Sequence, residues 1–526
     1  MEKLKLVCVA IAMACATPTL AGGLLTNTNQ HVAFDRMMSR EASIGIDGVY
    51  YNPAGVVFMS EGHHLAINWQ LAFQTRTINN DYALFTNNVN NPTTPRDFKG
   101  TAFAPVIPSF QYAYNKGKWS FQASFALTGG GGKCTFDDGL GSFEKIVSET
   151  AIAACGLAGV VDQTLGNTLG QPGMEMFTSD QAFGKTGKYS FNSYMHGRQY
   201  YYGLSVGAAY KFCDNFSAFL GVRGVYALTN YYGYVENINV GNMPLYKVLD
   251  PSKETAANIE LSCDQTGVGF TPIIGVDYKT GRWNFSAKYE FKTRIRLKNK
   301  SVNQTPSIGN LPANLANQMT GILTAKFQQA GLPLEQAKQK AENTTNTVLA
   351  DPKVGATMIG LKTQFDQKLN KAIGEYEDGK KIAGDIPAYL ALGVGYSPVD
   401  AVRVNVGFHW FDDKNATSYN NRNKELKRGT LEYNAGVEVD VNKKITLSTG
   451  WQNTNYGLSD EYMDDKSFVV SSNSVAVGGV YHINKKMDLN VAYFHTFYQH
   501  KKTTEKVEQI GKTYSSDYTR NNNVFA

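Results

Sequence analysis

Apolar and polar residues alternate strictly along much of the chain, most clearly from Trp283 to Lys298. There Phe285, Ala287, Tyr289, Phe291, Ile295 and Leu297 share one face, while Asn284, Ser286, Lys288, Glu290, Lys292, Arg294, Arg296 and Lys298 share the other. A period of two marks β-strands. The pattern repeats from Trp119 to Leu127, from Val402 to Trp410, from Ile445 to Trp451 and from Met487 to Phe497. Short turns such as Asn115-Lys116-Gly117-Lys118, Lys279-Thr280-Gly281-Arg282 and Asn484-Lys485-Lys486 alternate with long connections.

That alternation of short and long connections predicts an all-β, transmembrane antiparallel β-barrel of fourteen strands, apolar outside and polar within. An even strand number closes the barrel without an open edge. Two long connections carry helical sequence, Gly141 to Asn167 and Leu311 to Lys381, and both are expected outside the cell. In the second, Leu315, Met319, Ile322 and Leu323, then Leu361, Phe365, Leu369 and Ile373, recur at helical spacing. Such stripes suit helices packed together over the barrel or an apolar capture groove.

The N-terminus reads as a secretory leader. Lys3 and Lys5 precede an apolar run from Leu6 to Ala16, and Thr19-Leu20-Ala21 is a small-x-small cleavage site, so residues 1–21 are a signal peptide and the mature chain starts at Gly22. No later window offers the roughly 20 uninterrupted apolar residues of a transmembrane helix. With 50 Gly, 30 Tyr and 28 Phe in 526 residues, the composition fits aromatic, glycine-punctuated strands. The formal charge is +6, and removal of a leader whose net charge is +1 leaves +5. That value is modest for this length and does not imply nucleic-acid binding.

Between leader and strands lies Glu41 to Ala54, EASIGIDGVYYNPA. With Asn52-Pro53-Ala54 placed just before the first strand, this arm resembles the hatch of the FadL/TodX family of outer-membrane channels for long-chain fatty acids and other hydrophobic compounds. Ile386-Pro387 after the large connection and the hairpin Gly267 to Lys298 are similar to family features at those places. The resemblance implies residues 22–60 as a hatch plugging the lumen, a barrel over 61–526, and extracellular loops near 129–195 and 299–385. It also implies a monomer of the Gram-negative outer membrane, in contact with its lipid and lipopolysaccharide, passing a hydrophobic small-molecule ligand. In the family the third strand is kinked inward, opening the wall sideways. Here Gly129-Gly130-Gly131-Gly132 ends that strand, and such a run suits either an opened wall or a flexible loop entrance. Two departures stand out: the last strand is sparse in apolar residues and ends Val524-Phe525-Ala526, and the connection Asn299 to Gly384 is long for the family.

For a fatty acid, Lys288, Arg294, Arg296 and Arg403 all have inward parity and could grip a carboxylate, or could line the lumen in pairs with Glu290 and other acids. Leu24, Leu25 and Phe34, with Val56, Val57 and Phe58, are the apolar hatch contacts. Cys134 and Cys155 share one connection and could form a disulfide. No nucleophile motif points to catalysis, no cofactor or metal is expected, and the eight histidines are scattered. Haemin uptake and an adhesin-like surface barrel are the alternative readings. A plug driven by external energy would need a folded domain several times longer than this arm.

Overall fold

The computed structural model describes residues 26–306, 310–360, 374–508 and 510–526. The leader, Gly22, Leu24, Leu25 and the stripe Leu361, Phe365, Leu369 and Ile373 lie outside the described residues. Eighteen paired segments make one sheet; three strands are each split in two and one segment is a two-residue bridge, leaving fourteen strands. The first six are β1 (Gly62–Tyr82), β2 (Arg96–Lys116), β3 (Trp119–Phe136), β4 (Tyr189–Cys213), β5 (Phe216–Val240) and β6 (Ile259–Thr280). Next come β7 (Trp283–Glu290 with Arg296–Gln304), β8 (Lys381–Ala383 with Tyr389–Val399), β9 (Val402–Phe411) and β10 (Thr430–Asn442). The last four are β11 (Ile445–Asn455), β12 (Ser472–Asn484), β13 (Met487–Tyr498 with Lys501–Val507) and β14 (Lys512–Phe525).

The barrel closes between β14 and β1, which pair antiparallel from Leu71–Phe525 to Tyr82–Tyr514. The polar last strand is therefore fully used. Its outward residues, Ser515 to Asn521, face the upper part of β1, where Thr75 and Thr77 also point out, above the apolar band that begins at Phe73 and Phe525. Below that level Leu65, Ile67, Trp69, Phe121, Leu220 and Phe270 are exposed. So much bare apolar surface on alternate strand positions suits hydrocarbon rather than water. The opposite parity buries Gln70, Gln111, Gln122, Asn405 and Asn434.

Helices gather at the end bearing the long connections. α3 (Gly141–Leu169), α4 (Leu311–Gln329) and α5 (Leu334–Leu349) share one apolar core through Phe143, Val147, Leu165, Leu315, Met319, Leu323 and Val348. α3 has the length and hydropathy of a membrane span, yet half of that window is buried in this core. Asp162 on α3 accepts from the backbone N–H groups of Met176, Phe177 and Thr178 and so ties the following loop to the helix. Of the predicted stripe in the described residues, Leu315, Met319 and Leu323 thus serve packing over the barrel, whereas Ile322 is exposed.

Two expectations are corrected. The strand pattern from Trp283 to Lys298 is not one continuous alternation, because β7 breaks at residues 291–295. The eight steps from Glu290 to Lys298 face only seven from Ile273 to Thr266 on β6, and a one-residue offset swaps the faces. Ile295 and Leu297 are therefore buried and Arg294 and Arg296 point out. Secondly, Cys134 and Cys155 are free thiols rather than a bridged pair. Cys134 sits in the β3 ladder opposite Ala102, and the Cys155 thiol donates to the Phe183 carbonyl at 3.3 Å.

Candidate functional site

Residues 26–60 lie inside the barrel and hydrogen bond to its wall nearly all the way round. Two short helices, α1 (Val32–Asp35) and α2 (Gly48–Tyr51), are buried on every side. Phe34 stacks on Tyr51 at 5.2 Å and joins a cluster with Ala72, Ile107, Phe494 and Val524. It is therefore an internal prop of the arm, with no free face.

The Asn52-Pro53-Ala54 tripeptide fastens the arm to three strands. Asn52 donates its amide to Asp277 of β6 at 2.6 Å, the Pro53 carbonyl accepts from Gln122 of β3 at 2.7 Å, and the Ala54 carbonyl accepts from Ser217 of β5 at 2.7 Å. The Asn52 side-chain oxygen also accepts from the Gly55 N–H at 3.1 Å, closing the local turn. An Asn that can donate and accept at once suits this task.

Charge fastens the opposite side. Arg36 and Arg40 both reach Glu438 of β10, the latter at 3.0 Å, and Arg40 also grips Asp47 at 2.7 Å. His409 of β9 stands between Glu41 of the arm, at 2.7 Å, and Glu432 of β10, at 2.8 Å. For Asp47 burial opposes ionisation, and the Arg40 guanidinium outweighs it, holding the carboxyl below its ordinary value. Lys288 is buried and spent: it donates to the Tyr50 carbonyl at 2.6 Å and to Glu290 at 2.9 Å, and Glu290 in turn is held bidentate by Arg223. Arg403 is half-buried near the short-turn end and bidentate to Asp440. The expected basic residues therefore do not converge: Lys288 and Arg403 face in but are paired, Arg296 pairs with Asp385 at 2.9 Å on the outer surface, and Arg294 is exposed beside it. The buried histidines are engaged too, since His31 Nδ1 accepts from the Ala33 N–H to cap α1.

The wall itself is broken in one place. β2 and β3 pair from Phe110–Phe125 to Lys116–Trp119 and again from Gly100–Phe136 to Ala102–Cys134, but residues 103–109 and 126–133 between them do not pair. On β3, bulges fall between Leu127 and Gly129 and between Gly130 and Gly132, and Gly130 and Gly132 take φ of +72° and +109°, a region only glycine enters freely. On β2, Pro105 and Pro108 offer no N–H to a neighbour. Both edges of the gap are thus disabled by sequence; the prolines were the readable signal that strand alternation alone passed over.

The N-terminal arm fills this break from inside. Thr26 bridges to Gly129, the Asn27 N–H donates to the Thr128 carbonyl at 3.0 Å, and the Asn27 amide donates to the Gly130 carbonyl at 2.5 Å. On the other edge the Gln30 carbonyl accepts from Ser109 and Gln111, both at 2.8 Å. Arm residues 26–30 therefore take the hydrogen bonds that β2 and β3 withhold from each other.

No protein-family model matches the chain, and no curated protein sequence matches it. Among solved structures it aligns with a Pseudomonas aeruginosa FadL homologue at 14% identity and a TM-score of 0.55, over 96% of this chain and 98% of that one. It also aligns with the P. putida toluene transporter TodX at 13% identity, over 91% and 93% of the two chains, with a TM-score of 0.45 that is too low to carry weight. The chain has the fold of the P. aeruginosa FadL homologue, a fourteen-strand barrel of the outer-membrane type.

Proposed function

We propose that this protein is a passive outer-membrane channel for hydrophobic small molecules, of the long-chain fatty acid or hydrocarbon class. The observation that carries the reading is the broken β2–β3 seam with arm residues 26–30 seated in it. A structural barrel has no use for a wall opening at hydrocarbon depth closed by its own N-terminus. In this reading residues 22–60 are a hatch: a ligand arriving from the loop side competes for the lumen, shifts the Thr26–Asn27 bridge, and leaves sideways through the gap. Binding free energy drives the step, so no external energy source is needed.

The fold shared with the P. aeruginosa FadL homologue supports this class of cargo. Arg294, in the break of β7, and Lys298 and Lys300 above it face outward, where phosphorylated outer-leaflet glycolipid would neutralise them. A monomer suffices, since the path lies within one barrel.

Saturable binding tests the proposal. The purified barrel in micelles is titrated with a fluorescent long-chain fatty acid and challenged with unlabelled fatty acid, toluene, haemin and a short sugar. Displacement by fatty acid or toluene but not by sugar is expected. Displacement by haemin alone, or no saturable binding, would overturn it.

A further inference from the structure

Among the described residues the lumen also holds a buried basic group with no bond to arm residues 26–60. Arg76 of β1 is fully buried, faces inward, and lies directly across from Arg520 of β14 in the closing seam. Its Nε donates to the Gln74 side-chain oxygen at 3.2 Å, and Arg520 donates to that same oxygen at 2.7 Å, so one amide draws both guanidinium groups together. Among the described residues neither Nη1 nor Nη2 of Arg76 has a hydrogen-bond partner, and none of their carboxylates forms an ion pair with it. On the next rung, where Gln74 pairs with Asn522, the Gln74 amide nitrogen and both amide atoms of Asn522 are also buried and unbonded.

A buried guanidinium with idle donors is costly. Elsewhere in this lumen each buried cation has an acid: Arg40 has Asp47 and Glu438, Arg223 and Lys288 have Glu290. At Arg76 the surroundings are instead the Phe468 ring, 5.8 Å away on the loop between β11 and β12, and Arg520 against the Tyr498 ring. Repulsion between two cations and a surplus of N–H donors are what an incoming anion would relieve.

Position narrows the anion. Arg76 pairs with Gly100 of β2, two rungs above Ala102, where the β2–β3 seam opens. Its outward neighbours are Thr75 and Thr77, whereas the apolar belt begins at Phe73. The β2 residues 103–109, which do not pair with β3, thus begin roughly 10 Å below the arginine along the strand, at about 3.3 Å per residue. We propose that Arg76, with Arg520, Gln74 and Asn522, binds the carboxylate of an amphipathic acid whose apolar tail descends toward the gap. This rests on the channel reading and deepens it: the carrier prefers hydrophobic acids to neutral hydrophobes of equal length.

The test compares hexadecanoic acid with hexadecanol on the purified full chain in micelles, wild type against Arg76→Gln and Arg76→Lys. Wild type is expected to favour the acid by at least tenfold. Arg76→Gln should lose that preference while keeping hexadecanol affinity, and Arg76→Lys should retain part of it. Because an unpaired buried charge is removed, Arg76→Gln should unfold no lower in temperature than wild type. Equal affinity of wild type for acid and alcohol, or an unchanged preference in Arg76→Gln, would overturn the carboxylate site and leave the channel standing. Binding of neither compound to wild type would overturn both.

Discussion

The β4–β5 seam and the β2–β3 seam are built from similar residues and behave oppositely. β4 and β5 pair from Tyr189–Val240 to Cys213–Phe216, with irregularities only near the two ends. That seam carries Gly203, Gly207, Gly221 and Gly224, so glycine alone does not open a wall. At β2–β3 the glycines adopt positive φ and the facing strand carries two prolines, and there the ladder stops for seven residues of β2, 103–109. What opens a barrel is loss of donors and left-handed backbone at matched heights, and what closes it again is another segment that brings its own donors and acceptors.

The largest lever on the broken seam is the anchor of the segment that fills it. Glu438→Ala leaves Arg36 and Arg40 buried against no acid on β10, which should cost about 3–5 kcal/mol of hatch docking. Limited proteolysis should then cut within residues 26–60 while the barrel keeps its heat-resistant mobility. Unchanged protection would show that the arm is held by packing.

Next in size is the backbone contrast between the seams. Gly130→Ala places a Cβ 2.4 Å from the Gln199 carbonyl at a φ of +72°, a penalty of about 2 kcal/mol or more. Gly224→Ala in the continuous seam meets nothing nearer than 3.7 Å and should be near neutral. Equal melting temperatures for the two variants would erase the distinction drawn between the seams.

pH acts on the arm with mixed sign. Burial, with the nearby Arg40 and Arg36, holds His31 down to about 4 against the pull of Asp47, and burial pushes Asp35 well up. A depressed histidine weakens docking as pH falls from about 6.5 to 4, whereas a raised carboxyl weakens it as pH rises above its ordinary 3.8. The two slopes oppose each other between those limits. Above about 6.5 the raised Asp35 carboxyl still loosens docking as pH rises, and the arm's Glu41 adds loosening of the same sign as its buried partner His409 gives up a proton. Below about 4, Asp47 and Glu41, both held below their ordinary values, protonate and docking weakens again. Hydrogen exchange of residues 26–60, corrected for intrinsic rates, should rise as pH climbs above 6.5 in wild type and rise less steeply in Asp35→Asn, where only the His409–Glu41 contact still titrates. A rise of the same slope in both would refute the assignment to Asp35.

The smallest effect is expected from Asn27→Ala. It deletes the side-chain bonds to the Gly130 and Leu127 carbonyls and should cost about 1 kcal/mol, seen as faster exchange at the Leu127 to Gly130 edge alone. Exchange that spreads to β4 would mean that the arm supports the wall as well as covering it.

Strand number, lumen parity and the position of the arm were legible because period two is a local property and Asn52-Pro53-Ala54 stands immediately before the first strand. The faces of Arg294 and Arg296 were not, because a single residue of offset at 291–295 reverses parity and leaves no mark in an alternating pattern. Arg76 and Arg520 are 444 positions apart in sequence and become neighbours only when the barrel closes. Glu290 read as an inward acid, but which cation it would hold, and that Glu438 would hold two arginines of the arm, depended on how a buried arm lies across strands remote from it.

The most direct measurement is photolabelling of the purified barrel, reconstituted in liposomes, with a long-chain fatty acid bearing a diazirine at its tail, followed by mapping of the labelled peptides. The lateral route predicts labels on residues 103–109 and 126–133, reduced by unlabelled fatty acid. Labels confined to the short-turn end, around residues 53–61, with none at the β2–β3 gap would contradict it and make the path axial.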